Sequence, residues 1–208
     1  MLFSSCSQKE RPIIKGSFDE LYSKYYEFVS TNMDSAKVYI TGAYKIALQE
    51  KDSVKIANTL SPLAYCKWFF GEKEEAFKDI DEAIRLGESL QDTTYISRVL
   101  NQKAIMLTDD ELYFEALEIY LKKKELAVLT NNKVGQLLVS ANIGFIKKMN
   151  QDYNEAVSVY KNCLEQIKNT EADADYKKNY KKNIYLNLTD TYLRMKEIDS
   201  SSYINEAI

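Results

Sequence analysis

Apolar and polar residues in this chain alternate on a helical beat, and the beat itself recurs. In "KEEAFKDIDEA" (73–83), "YFEALEIYLKK" (113–123) and "YNEAVSVYKNC" (153–163), alanine falls at Ala76, Ala116 and Ala156, forty residues apart each time. One period upstream, "MDSAKVYITGA" (33–43) sets Ala36 on the same beat. Four residues after each alanine stands Ile40, Ile80, Tyr120 or Tyr160, and seven after it Ala43, Ala83, Lys123 or Cys163. Side chains spaced by four and seven share one face of an α-helix. Small residues there let a neighbouring helix approach closely, and the larger one fills the gap.

Polar steps keep the same time. Asp52, Asp92 and Asn132 are also forty apart, and such side chains accept hydrogen bonds from the free amides of a helix's first turn. Ahead of them "SFDE" (17–20) has capping-box form, with Ser17 three residues before Glu20. The spacing predicts helical hairpins, each a first helix, a short turn and a second helix carrying the alanine beat. First helices are expected near 17–31, 53–70, 92–108, 132–149 and 175–195. Second helices are expected near 33–50, 73–91, 112–130, 153–169 and 198–208. Pro62 falls inside a first helix, where it should remove one backbone bond and kink it. Hairpins at fixed spacing are the signature of a helical solenoid.

This pattern resembles tetratricopeptide repeats (TPR), and the resemblance covers residues 17–208. The fourth unit, "NIGFIKKMNQDYNEAVSVY" (142–160), carries the family's small residue at Gly144, its aromatic at Tyr153, then Ala156 and Tyr160. The fifth, "NLTDTYLRMKEIDSS" (187–201), matches through Leu188, Tyr192 and Ile198, with Ser201 in the alanine slot. Three departures stand out. The period is forty rather than the family's roughly 34, the helix-ending proline is missing, and Lys123 replaces a small residue. Six extra residues shared between two helices lengthen each by roughly 4.5 Å. The insertion "NTEADADYKKNYKKN" (169–183) also stretches the last interval.

The resemblance implies an all-α, right-handed α-α superhelix of about five helix-turn-helix units, near 17–51, 52–91, 92–131, 132–170 and 171–208. It also implies that first helices line a concave groove receiving a protein or peptide segment. Fourteen residues before each beat lie Pro62, Gln102, Asn142 and, on the Ser201 register, Asn187. Three successive carboxamides offer donors and acceptors to an extended peptide backbone. Arg98, one turn before Gln102, could meet a carboxylate, as in the carboxylate-clamp groove of chaperone-binding relatives, although the full clamp set is absent. The amides could equally tie neighbouring helices together. Tyr65, Trp68 and Phe145 read either as core or as a ligand platform.

Composition narrows the chemistry. With 6 Gly and 2 Pro in 208 residues, long helices and short turns fit better than a turn-rich β fold. A net charge of −3 does not suit sequence-independent phosphate binding, so nucleic acid is not an expected partner. "YKKNYKKN" (176–183) then reads as a solvated helix face. The sequence has no histidine, which removes the commonest general base and metal ligand. Cys66 and Cys163 lie among apolar residues and read as small buried thiols, and no zinc or disulfide spacing is present. No motif of hydrolases, phosphate loops or zinc proteases occurs. The expectation is therefore a non-catalytic binding module with no cofactor and no metal. No apolar run approaches the ~20 residues of a membrane span.

The ends carry two further expectations. "FSSC" (3–6) resembles the tail of a bacterial lipoprotein signal, with residues 1–16 as remnant and tether, although no positive stretch or apolar segment precedes it. On that reading Cys6 is a lipid anchor and the protein periplasmic or membrane-attached; otherwise the start is an ordinary cytoplasmic one. "SSSYINEAI" (200–208) stops inside a second helix, and an uncovered end repeat suggests a continuing polypeptide. That combination resembles the sensor portions of Gram-negative regulators. The competing resemblance is to the cytoplasmic quorum-sensing peptide receptors of Gram-positive bacteria.

Overall fold

The computed structural model describes residues 15–198. Its helices are α1 (Phe18–Phe28), α2 (Met33–Glu50), α3 (Ser53–Phe69), α4 (Lys73–Ser89), α5 (Thr93–Asp109), α6 (Tyr113–Leu129), α7 (Lys133–Met149), α8 (Tyr153–Gln166) and α9 (Ala174–Ile198). A 3₁₀ turn, Ile167–Asn169, follows α8. No strand occurs among the described residues. Cys6 and the helix expected over 198–208, with Ser201, fall outside the described residues or at their edge.

The expected caps form. Asp52 accepts from the Val54 and Lys55 amides at 3.0 Å, Asp92 from Tyr95 at 2.8 Å and Asn132 from Gly135 at 2.7 Å. Ser17 and Glu20 complete the reciprocal capping box. Asn32 caps α2 in the same way, through the Ser35 amide at 2.9 Å. The second helices α6 and α8 begin without a side-chain cap hydrogen bond.

The six turns from α2–α3 to α7–α8 are built alike. From α3 to α7 each helix has 17 residues, and three residues join it to the next. The residue before each new cap is left-handed: Lys51, Gly71, Gln91, Glu111, Asn131 and Gln151 have φ of 55°, 82°, 54°, 61°, 52° and 65°. The following amide reaches back five residues, as in Asp92 to the Gly87 carbonyl at 3.1 Å or Asn132 to Ala127 at 2.8 Å. This Schellman closure satisfies carbonyls that a helix end otherwise strands. A 17-residue helix plus a three-residue turn makes twenty, and two of these make the period of forty.

The structure divides into two compact units, split between Ala83 and Ile84 within α4. In the first, Ala36, Ile40, Ala43 and Ala47 of α2 are wholly buried beside Leu21 of α1 and Cys66 of α3. α3 runs unbroken through Pro62. Proline has no amide to give the carbonyl of Asn58, and the Tyr22 hydroxyl of α1 donates to that oxygen at 3.4 Å.

In the second unit, Ala116, Ala156, Tyr160 and Cys163 occupy the predicted core face and are buried. Burying side chains of the larger kind contributes about 1.5–3 kcal/mol each. Lys123 stays half-buried, its Nζ donating to Asn101 Oδ1 on α5 at 2.6 Å, and burial lowers its pKa. α8 ends three residues earlier than periodicity predicts. The chain tightens into the 3₁₀ turn, which sends Ile167 into a core with Tyr180, Ile184 and Leu188 of α9. The solvated face expected of "YKKNYKKN" holds only in part: Lys178 and Lys182 face solvent, but Tyr180 is buried in the core with Tyr176 packed against it, and donates to the Leu137 carbonyl at 2.8 Å.

Candidate functional site

The candidate residues of the second unit lie on two equivalent helix faces. α5 buries Tyr95, Val99, Ala104 and Met106. A different stripe carries Arg98, Gln102 and Ile105, of which Arg98 and Ile105 are exposed and Gln102 half-buried. α7 buries Leu137, Val139, Ile143 and Ile146. It presents Leu138, Asn142 and Phe145, forty residues on from the α5 set, with Leu138 exposed and the other two half-buried. Positions i, i+4 and i+7 share a face, so the register repeats residue for residue. α6 packs against both helices. The guanidinium carbon of Arg98 lies 5.3 Å from the centre of the Tyr95 ring, a cation–π distance.

Asn187, the third carboxamide of the predicted row, is engaged between helices. Its Oδ1 accepts from Lys148 Nζ of α7 at 3.1 Å, and its Nδ2 donates to the Asn183 carbonyl at 3.0 Å. Lys148 is only 4% exposed. Its ammonium also pairs with Asp190 Oδ2 at 2.7 Å and sits 4.8 Å from the centre of the Phe145 ring. Arg194 Nε holds the same Asp190 oxygen at 3.2 Å. The Lys148 hydrogen bond, with both cationic charges, keeps the Asp190 carboxyl below its ordinary pKa against the opposing effect of burial. This group joins α9 to α7 beside Phe145.

Sequence reasoning missed Lys148, which reads in "IKKMN" as one of a surface lysine pair. The available signal was its register: it lies forty residues after Thr108 and four after Gly144, on the inward face of α7.

In the first unit, Tyr65 and Trp68 of α3 are half-buried and stacked, with ring centres 5.8 Å apart and planes at 19°. The Trp68 indole N–H is buried with no hydrogen-bond partner among the described residues. On α1, the hydroxyls of Tyr22 and Tyr26 lie 3.0 Å apart, and Tyr26 is exposed. The Cys66 thiol is buried, which pushes its pKa up to about 12. Among the described residues no three His, Cys, Asp or Glu side chains group to hold a metal, and no helix is long and apolar enough to cross a membrane.

No protein-family model matches the sequence, and no curated protein matches it significantly. Solved structures do match. RapI in its apo form superposes with a TM-score of 0.69 at 17% identity, over 91% of this chain and 52% of RapI. The chain thus spans about half the length of that protein. A putative kinesin light chain from Podosopora anserina with nearly identical TPR-like repeats matches at 0.69 and 11% identity, over 86% of this chain and 87% of its own. A point variant of it matches at 0.70 and 10% identity, over 91% and 92%. Likeness at these identities is a likeness of fold, and on that ground the chain is a TPR-like, all-α helical repeat protein.

Proposed function

We propose that this chain is a non-catalytic scaffold that binds an extended peptide or protein segment along the exposed faces of its first helices, as the sensory or assembly part of a larger bacterial protein. The supporting observation is the residue-for-residue equivalence of Arg98, Gln102 and Ile105 on α5 with Leu138, Asn142 and Phe145 on α7. A carboxamide at the centre of each face can donate to and accept from a peptide backbone, and the flanking apolar side chains can hold its residues. Asn187 enters this reading as a positioning residue that works through Lys148. Tyr65 and Trp68 give the first unit an aromatic contact of its own.

The test is selection from a displayed peptide library. Enriched peptides should bind the parent chain and lose at least about tenfold in affinity, about 1.4 kcal/mol, on Gln102→Ala/Asn142→Ala. Melting of that variant should stay within a few degrees of the parent. Unchanged affinity with a lowered melting temperature would make the amides structural and overturn the assignment.

The likeness to RapI, solved as an apo form and matched over half its length, favours a second reading: a cytoplasmic receptor for a small signalling peptide. Truncating the selected peptides separates the two. A receptor keeps full affinity for a ligand of a few residues, whereas a scaffold loses it with each residue removed. A lipid anchor at Cys6 belongs to the first reading, and mass spectrometry of the protein from membranes tests it.

A further inference from the structure

The first unit contains a cavity of about 840 Å³ that the peptide reading does not use. It runs along α2, bounded by the start of α1 and by the turn between α3 and α4. Ligand pockets typically enclose about 300–1,000 Å³. At Gly42 of α2, Leu21 Cδ1 comes within 2.9 Å of where a β-carbon would sit, so α1 closes down on α2 and walls the cavity there.

Its lining divides into an apolar body and a cationic end, the latter where Phe18 at the start of α1 packs with Ala43 and Ala47 of α2 and so brings Lys15 to the Lys45 stretch. Val38 and Ile46 are half-buried and Phe70 is 39% exposed, leaving apolar surface to the cavity. Of the three lysines, Lys37 pairs with Glu72 and lies 4.8 Å from the centre of the Phe70 ring. Lys15 and Lys45 line the cavity without an ion-pair partner among the described residues. The remaining carboxylate, Asp34, sits in the first turn of α2, where a negative charge is favoured. Eleven residues separate it from Lys45, about 16 Å of helix, so it does not neutralise that end.

We propose that this cavity binds a small organic anion, a carboxylate or sulfonate head on an apolar body, with the head at Lys15 and Lys45 and the body against Val38, Ile46 and Phe70. Apolar burial supplies the affinity and the two ammonium groups set the sign of the charge accepted. The site shares no residue with α5 or α7, so the peptide reading can fail without touching it.

The probe is 1-anilinonaphthalene-8-sulfonate, titrated into the full chain by fluorescence, with stoichiometry from calorimetry. One saturable site is expected, weakening as salt rises. Lys15→Gln/Lys45→Gln should weaken it at least about tenfold at unchanged melting temperature. Lys133→Gln/Lys178→Gln, which places the same charge loss on the other unit, should change it less than about twofold. Uncharged N-phenyl-1-naphthylamine should bind the parent more weakly and ignore the lysine substitutions. Absence of a saturable site, equal effects of the two double variants, or equal binding of the neutral probe would overturn the proposal.

Discussion

The ring of Tyr160 on α8 fills the space beside Gly144 on α7: its Cε1 lies 2.7 Å from where a β-carbon on Gly144 would sit. Tyr160 is wholly buried, so the ring has nowhere to move. Alanine is favoured over glycine inside a helix by about 1 kcal/mol, and overpacking a core costs about 1–3 kcal/mol. We expect the clash to win. Gly144→Ala should lose about 1–2 kcal/mol in urea unfolding, and equal or greater stability would show that the hairpin can open at this point.

The hydroxyl of the same tyrosine is buried with no hydrogen-bond partner among the described residues, and burial is the main cause of its raised pKa. An unmet polar group costs folding free energy, and deleting it removes that cost. Tyr160→Phe should therefore be neutral or stabilising by up to about 1 kcal/mol. A loss of more than that in the same unfolding assay would reveal a partner for the hydroxyl.

Five of the six left-handed turn residues carry side chains, although glycine is the residue that adopts this conformation without a steric penalty. Gln91→Gly, Glu111→Gly and Gln151→Gly should each stabilise the chain by roughly 0.5–1 kcal/mol. Gly71→Ala, with φ at 82°, should act in the opposite direction by about 1 kcal/mol. Parallel urea melts of the four variants check both signs together.

Asp190 makes stability depend on pH. Its carboxyl has a lower pKa folded than its ordinary 3.8, so the folded chain binds fewer protons than the unfolded one as pH falls through this range. The stabilisation is complete above the ordinary value and is lost as pH drops through the lower, folded one. Asp190→Asn should thus be less stable than the parent near neutrality. The gap should close below about pH 4, and a gap constant from pH 7 to pH 3 would show that the ion pair with Lys148 contributes nothing.

Most of the helix plan was legible because two signals with different causes shared one period. The alanine beat reports close helix approach, and Asp52, Asp92 and Asn132 report helix starts. The turns were less legible. Glutamine, glutamate and lysine at the left-handed positions carry none of the marking that glycine would give, so the polar steps showed their shared period but not their shared left-handed geometry. The early end of α8 was hidden because Ile167 continues the helical pattern and yet enters the core from a tighter turn. At the candidate site, register placed Gln102, Asn142 and Phe145 on open or half-open faces. It could not show that Asn187 would be taken up by a buried lysine, because that depends on where the irregular 167–173 connection sets α9. Ligand identity was not legible, since amides and aromatics accept many peptides.

The sameness of these turns bears on how such a chain can change over time. A duplication or deletion of forty residues, breaking anywhere between α3 and α7, leaves each cap, each left-handed residue and each alanine in step with its neighbours. A gain of thirty-eight or forty-three would turn whole helix faces away from their partners. Growth by whole hairpins is therefore the mutation this architecture absorbs most readily, and the irregular joint before α9 marks where that freedom stops.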